Sequence, residues 1–331
     1  MLQATGRLQS ATTDIEEAIT FGDVIYFVAP AFAQAPVLEP ALPFFRRGQI
    51  VILVPGNFGS LWLQERLART GASEGVVTGE TDTLPYACRL IGPGRVDMWG
   101  VKTYTGIGML PGNACSKVCA RIEPVFPVPF RIYDNVLNVG VANTNMIIHC
   151  VTMLMNAGRI ENDVNGFRFY ADGMTESVCT VMEAMDRERI EVGKAFGFRL
   201  TTMYEDAVGT YDDGCAGRTL HEALAGCAAY SCHGIDSPTS MTHRYLTEDV
   251  PYLLVPLVEL GQLSGTPTPV IDSVVALAET VRGVPYRQVG RTLRSLGLAQ
   301  MSPDDVLAVV GSGMQGRLAQ VSRMAAGSRS E

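Results

Sequence analysis

Two short, unbroken runs of β-branched and aromatic residues, VIYFVA at 24–29 and IVILV at 50–54, constrain the fold most strongly. Continuous apolar runs of this length are typical of parallel strands that are covered on both faces. Residues 34–46 can form a crossover helix between them, made irregular by its prolines. A second amphipathic segment at 61–68 leads to a third strand-like run at 76–78. This alternation predicts βαβ units of a parallel sheet.

Two loops follow these strands, APAFAQ after the first and PGNFGS after the second. Right-handed crossovers place both loops along the same carboxyl edge of the sheet, where open sheets bind ligands. Gly56 and Gly59 would let the backbone come close to a flat ligand. An ordinary turn explains the two glycines as well.

The start of the chain departs from a complete dinucleotide-binding sheet. Such a sheet begins with a strand, the turn G-x-G-x-x-G and a helix whose N-terminus holds the pyrophosphate. Here polar residues and an acidic helix, TDIEEAI, come first. GIGMLPG at 106–112 has the wrong spacing, and GSGMQG at 311–316 matches the pattern but precedes only a short polar tail. We therefore expect an N-terminally truncated Rossmann-type sheet with an exposed edge.

The chain changes from strand-rich to helix-rich near residue 135. Residues 84–110 contain further β-branched and aromatic runs, which predict strands that close the first domain. The later segments are predicted to be helices, at 175–193, 221–228, 274–281, 286–296 and, with an N-terminal cap, SPDDVLAVV at 302–310. We predict an α/β domain over residues 1–134 and an all-α domain over residues 135–331.

One predicted helix, NTNMIIHCVTMLMNAGRIE at 143–161, is apolar around most of its circumference. At about 100° per residue, Asn145, His149, Thr152 and Asn156 fall on one narrow face. A solvated face would carry Lys, Glu or Arg, and none occurs from 135 to 158. The stripe therefore fits the wall of an internal cleft, with His149 as the first candidate for chemistry. A core histidine bonded to a neighbour explains His149 equally well.

A second polar group lies in SPTSMTHRYLTEDVPYLLVPLVELG, residues 237–261, which reads as a loop running into a helix. Thr247 can cap that helix, and Glu248 and Asp249 suit its first turn, where the macrodipole favours negative charge. Arg244 is either a surface residue or a guanidinium fork for a substrate carboxylate. These residues alone leave both interpretations open.

Composition narrows the classes of partner. The net charge is −8 without a long basic run, so nucleic acid and anionic membranes are poor partners. No apolar run near the roughly 18 residues of a membrane span stands out, and the start lacks a signal peptide, so we expect a cytoplasmic protein. The eight cysteines include no CxxC pair. The cluster Cys215, His221, Cys227, Cys232 and His233 matches no familiar zinc spacing, so no metal is predicted.

Five segments together resemble the octopine/nopaline (opine) dehydrogenase family: VAPAFAQ, LVPGNFG, LPYACR, NMIIHCVTMLMNAGRIE and HRYLTEDVPY. They occur in the family's order over roughly residues 15–300. The resemblance implies a Rossmann-type domain that binds NAD or NADP, followed by an all-helical domain like that of 6-phosphogluconate dehydrogenase. It also implies an NAD(P)-dependent oxidoreductase acting on CH–NH bonds, which reduces the imine formed from an amino acid and a 2-oxo acid.

The resemblance also assigns site residues. His149 matches the catalytic histidine, Asp249 its acidic partner, Arg244 the carboxylate-binding arginine and Asn145 a substrate-contacting asparagine. An imidazole held by a carboxylate is a suitable proton donor near neutral pH. The cofactor-binding candidates are Pro30, Phe32, Gly56, Asn57, Phe58 and Gly59. Leu253 stands where the family is expected to have glycine, which changes the pocket behind Asp249.

Two other interpretations of the chain's function remain. A reductase of the 6-phosphogluconate or ketopantoate type would need a lysine near the reaction centre, and none lies on the stripe from Asn145 to Asn156. A decayed reductase retained as a non-catalytic binding module would explain the missing glycine turn. The expected partners are the amino acid and 2-oxo acid substrates, with homodimerisation left open.

Overall fold

The computed structural model describes residues 6–72, 74–162, 166–211, 217–228 and 237–314. Its N-terminal part is built on a five-stranded sheet in the order β1-β2-β3-β6-β7, and β4 and β5 pair separately. The strands are β1 (Val24–Phe27), β2 (Ile50–Leu53), β3 (Val77–Thr81), β4 (Tyr86–Gly92), β5 (Arg95–Val101), β6 (Thr105–Leu110) and β7 (Phe130–Ile132).

The first three strands form the parallel sheet that their apolar runs predict. β1 pairs with β2 and β2 with β3, both in parallel. Every residue of β2 is buried, as its unbroken apolar sequence requires. Among the described residues β1 pairs with β2 alone, so the exposed sheet edge expected from the sequence lies on β1.

Only part of the segment 84–110 closes this sheet, which corrects the prediction. β6 joins β3 in antiparallel orientation, whereas β4 and β5 form a hairpin outside the main sheet. The turn Gly92-Pro93-Gly94 explains the hairpin, because Gly94 adopts a φ of +66° that favours glycine. Most residues on both hairpin strands remain partly or fully exposed.

Helices flank the sheet, and in the described part of the chain every secondary-structure element after β7 is a helix. Four belong to the sheet part: α1 (Ile15–Phe21), α2 (Gln34–Ala41), α3 (Gly59–Thr70) and α4 (Cys115–Ile122). The helical part contains α5 (Val136–Ala142), α6 (Asn145–Met155), α7 (Ala157–Asn162), α8 (Phe169–Gly173), α9 (Glu176–Ala195), α10 (Met203–Gly209), α11 (Leu220–Gly226), α12 (Arg244–Thr247), α13 (Val255–Ser264), α14 (Pro269–Arg282), α15 (Tyr286–Val289) and α16 (Pro303–Ser312). This is the predicted class, a parallel-sheet domain followed by a helical one.

Two predicted helix boundaries are wrong. Thr247 does not cap a helix; α12 is capped earlier by His243, and a π-helical turn over Val250–Leu254 precedes α13. The helix predicted at 286–296 stops at Val289, because Gly290 is extended and packs directly on the backbone of Pro251. A Cβ at Gly290 would lie 2.7 Å from the carbonyl oxygen of Pro251.

The segment 136–155 is long and apolar enough to cross a membrane, with a mean hydropathy of 1.2, contrary to the prediction that no such run occurs. However, 83% of that window is buried inside the protein. The segment is also divided into α5 and α6, since Asn143 leaves the helical conformation with a ψ of 111°. Its apolar surface packs into a hydrophobic core that extends from β2 and α3 to α14.

The contact between α5 and the loop after β2 generates a prediction about stability. A Cβ at Gly140 would lie 2.3–2.6 Å from the ring of Phe58, which is fully buried. We expect Gly140→Ala to lower the free energy of unfolding by about 1–3 kcal/mol, because the core must shift to admit the methyl group. Urea denaturation measures this change.

Gly158→Ala is the matched control. Gly158 lies on an exposed part of α7, with nothing within 4 Å of an added Cβ. Alanine favours a helix over glycine by about 0.8–1 kcal/mol, so this variant should be at least as stable as the parent chain. Equal stability of the two variants would show that Phe58 is not locked against α5.

Candidate active site

The predicted stripe on α6 opens, at its N-terminal half, onto a cavity of about 140 Å³ between the sheet and helical parts. Asn145 and His149 line this cavity from α6, and Pro55 and Asn57 line it from the loop after β2. The cavity therefore lies at the carboxyl edge of the parallel strands, where ligands bind to open sheets.

His149 is held by Asp249, a residue 100 positions later in the chain. The distance from Nδ1 of His149 to Oδ2 of Asp249 is 2.7 Å, and both side chains are largely buried. Since an ionised carboxylate only accepts hydrogen bonds, Asp249 places the imidazole proton on Nδ1. The other ring nitrogen, Nε2, is 3.2 Å from the hydroxyl of Tyr170, which also lines the cavity.

Local backbone structure positions this pair. Asp249 directly precedes the π-helical turn Val250–Leu254, and such turns occur frequently at functional sites. The ring of Tyr245, on α12, stacks on the ring of His149 with centroids 3.9 Å apart and planes inclined by 13°. The imidazole is thus restrained both in its plane and at Nδ1.

The C-terminal half of the stripe has a structural role, which corrects the expectation that the whole stripe lines a cleft. Thr152 is fully buried and donates its hydroxyl hydrogen to the carbonyl of Ile148 at 2.6 Å. Asn156 donates to the carbonyls of Thr152 and Gly173. Packing of α8 across this part of α6 removes both side chains from the cavity.

Arg244 reaches the same cavity from α12, and its guanidinium pairs with Glu248 at 3.3 Å. The Arg244 side chain is 45% exposed, whereas that of Glu248 is 2% exposed. Glu248 also accepts a hydrogen bond at 2.8 Å from the amide of Ala31, in the loop after β1. Burial, together with the charge of Asp249, raises the pKa of the Glu248 carboxyl. A helix-start residue by sequence, Glu248 in fact links the two parts of the chain.

The cofactor-binding candidates occupy different environments. Asn57, with a φ of 54°, lines the cavity, and its Oδ1 accepts a hydrogen bond from Asn143 at 3.1 Å. Phe58 belongs to the core, and Phe32 is 48% exposed beside the half-buried Pro30. Internal packing explains the two glycines. A Cβ added to Gly56 would lie 2.1 Å from the side chain of Glu80, and one added to Gly59 would lie 2.3 Å from the side chain of Gln34.

Arg291, which sequence patterns did not single out, holds the same loop from the helical part. Its guanidinium donates to the carbonyl of Asn57 at 2.6 Å and to the side chain of Gln34 at 2.8 Å. Burial lowers the pKa of Arg291 to about 10, although the negative charge of Glu80 acts to raise it. Glu80 in turn accepts hydrogen bonds from the amides of Phe58 and Ser60, both at 2.9 Å. The loop after β2 is therefore held by Arg291 from the helical part and by Glu80 from the sheet part.

Comparison with known proteins decides the family. Residues 132–282 match the family described as NAD/NADP octopine/nopaline dehydrogenase, alpha-helical domain. An opine dehydrogenase from Arthrobacter sp. is 34% identical over 310 residues, which cover 93% of this chain and 84% of that protein. Vitopine synthase from Allorhizobium ampelinum is 30% identical, covering 88% and 78% of the two chains. The chain belongs to the opine dehydrogenase family.

Solved structures of opine dehydrogenases share this fold. An octopine dehydrogenase in complex with NADH and agmatine superimposes with a TM-score of 0.74 at 22% identity, covering 92% of this chain and 82% of that one. A ketopantoate reductase from Ralstonia eutropha gives a TM-score of 0.51 at 18% identity, over 83% and 80%. Because both enzyme classes share the fold, family membership rests on the sequence relatives.

The cleft also contains a lysine that does not belong to the polar stripe on α6. Lys102, directly after β5, lines the cavity of His149 and a smaller neighbouring cavity that also contains Asp82 and Asp206. Burial lowers the pKa of Lys102. Burial, and then the charge of Asp206, raises the pKa of Asp82 to about 6 despite the nearby ammonium. Three charged groups thus share one poorly solvated region.

Among the residues that the structure describes, no group of three or more His, Cys, Asp or Glu side chains could hold a metal ion. Of the cluster considered from the sequence, Cys215, Cys232 and His233 lie outside the described residues. The imidazole of His221 lies against the carbonyl of Met174, with Nδ1 at 2.9 Å from the oxygen.

The raised pKa of Asp82 predicts a pH dependence of stability. The folded chain protonates Asp82 near pH 6, whereas an unfolded chain does so only near pH 4. This group therefore adds stability as the pH falls through 6, and the gain is complete below about pH 4. The D82N variant can keep the acceptor for the Gly106 amide but cannot titrate.

Urea unfolding of both chains at pH 7 and pH 4.5 tests this expectation. The parent chain should gain stability relative to D82N at the lower pH. A constant difference between the two free energies of unfolding would contradict the shift.

Proposed function

We propose that this opine dehydrogenase family member catalyses the NAD(P)H-dependent reductive condensation of an amino acid with a 2-oxo acid. The observation that carries the proposal is the His149–Asp249 pair, 2.7 Å apart. His149 lines the same cavity as Asn145 and Arg244, and its second ring nitrogen contacts Tyr170, which lines that cavity too. A restrained imidazole that shares its cavity with a guanidinium suits a substrate that has a carboxylate and a nitrogen that takes up a proton.

The cofactor is NAD or NADP, as in relatives described as bound to NADH or NADP⁺. It supplies the hydride when bound. The residues present fit its nicotinamide end, because Pro55 and Asn57 border the cavity at the carboxyl edge of the sheet. Among the described residues, no turn of the form G-x-G-x-x-G joins a strand to a helix, so no pyrophosphate site is assigned within them.

His149 would donate the proton that the reaction requires. Reduction of the imine adds hydride to carbon and a proton to nitrogen, so a donor must lie beside that nitrogen. Protonated at both nitrogens, the imidazole can give up the Nε2 proton and keep the Nδ1 proton, which it donates in a hydrogen bond to Asp249. Asp249 then stabilises the charged form of His149 and preserves the tautomer required for the next cycle.

Arg244 and Asn145 would position the substrates. One Nη of Arg244 contacts Glu248, and the half-exposed guanidinium retains further N–H donors for a carboxylate. The backbone amide of Asn145 is fixed by the side chain of Asn143 at 3.0 Å, so its own side chain enters the cavity from a defined position. Such orientation lowers the entropic cost of bringing two substrates together.

The alternative function is that of a non-catalytic binding module. Fluorescence titration with NADH and NADPH separates the two functions. An active dehydrogenase must bind one of them, and no binding up to millimolar cofactor would favour the module.

His149→Ala should reduce NADH-dependent condensation by about 10²–10⁴-fold, because the proton donor is removed while the fold remains. His221→Ala is the matched control, since His221 does not line the cavity. The steady-state rates of both variants are measured with NADH binding as a second readout. Retained turnover in His149→Ala would contradict the assignment of His149.

A further inference from the structure

The cleft contains a second cation, Lys102, which is supplied by the sheet part of the chain. Its backbone amide donates to the carbonyl of Pro85 at 3.0 Å, which fixes the residue beside the start of β4. Its ammonium donates to the hydroxyl of Thr83 at 2.6 Å. An ammonium has three N–H donors, so two remain for a ligand in the cavity that Lys102 shares with His149.

Two carboxylates, Asp82 and Asp206, line the smaller cavity together with Lys102. In the described part of the chain neither forms an ion pair with Lys102 within 4 Å. Asp82 accepts the Gly106 amide at 3.0 Å. Asp206 accepts the hydroxyl of Tyr104 at 3.0 Å and lies 3.6 Å from Arg131. Both carboxylates therefore have other partners, but their charges still favour the protonated lysine.

Lys102 and Arg244 lie on different parts of the chain and differ in environment. Arg244 is half exposed and paired with Glu248, whereas Lys102 is partly buried and has a neutral hydroxyl as its hydrogen-bond partner. Lys102 also borders both cavities together with Asn145. A carboxylate beside Asn145 would thus meet a poorly solvated ammonium, where a charge-assisted hydrogen bond is strong.

We propose that Lys102 binds the carboxylate of the 2-oxo acid and that Arg244 is left to bind the carboxylate of the amino acid. The inference rests on the proposed function, in which the two precursors each bring one carboxylate to the same cleft. Two cations supplied by different parts of the chain would receive the two carboxylates separately.

Lys102→Met tests this assignment, with Lys102→Gln as a second variant that keeps a donor for Thr83. Pyruvate and 2-oxoglutarate are titrated into the full chain with saturating NADH, and calorimetry gives the dissociation constants. Steady-state rates give KM for the 2-oxo acid and for the amino acid separately. Lys117→Met, at an exposed position on α4, makes the same charge change outside the cleft.

Loss of Lys102 should weaken binding of the preferred 2-oxo acid by about 10- to 100-fold and raise its KM similarly. The KM of the amino acid should stay within about 2-fold, the range expected without a lost contact. Values equal to those of Lys117→Met, or an effect confined to the amino acid, would overturn the role of Lys102. A parent chain that binds NADH but neither 2-oxo acid would contradict the proposed function as well. Unfolding of both Lys102 variants would assign the residue a structural role instead.

Discussion

The contact between His149 and Asp249 is the interaction on which the site depends. It joins the middle of α6 to the residue before the π-helical turn, across 100 positions of sequence. Tyr245 stacks on one face of the imidazole, and Tyr170 lies at Nε2. These contacts leave the imidazole one orientation, in which Nδ1 faces a carboxylate and Nε2 faces the cavity. A proton donor with a fixed direction is what the proposed imine reduction needs.

The second constraint is the interlock between the sheet part and the helical part. Glu248 accepts a hydrogen bond from the loop after β1, and Arg291 donates to the loop after β2. Both charges are buried, so each depends on its partners across the interface. Because Glu248 neighbours Asp249 and also pairs with Arg244, the position of the sheet loops is coupled directly to the groups proposed to handle the substrate.

Sequence patterns predicted the elements whose periodicity is strong, and the family resemblance predicted His149 with Asp249. The parallel strands follow from unbroken apolar runs, and α6 follows from an apolar segment with one polar stripe at helical spacing. Lys102, Glu248 and Arg291 carry no such signal, because single charged residues look like surface residues until tertiary packing buries them. The prediction that the C-terminal half of the polar stripe lines a cleft is wrong for the same reason. Only the tertiary structure shows that Thr152 and Asn156 donate hydrogen bonds to backbone carbonyls.

A double-mutant cycle on His149 and Asp249 tests the central claim most directly. If Asp249 acts only through the imidazole, kcat/KM of His149→Ala/Asp249→Ala should equal that of His149→Ala within about 2-fold, because the carboxylate has nothing left to orient. NADH binding to each variant shows that the fold persists. Fully additive losses in kcat/KM would mean that the two side chains act independently, and the account of this site would be wrong.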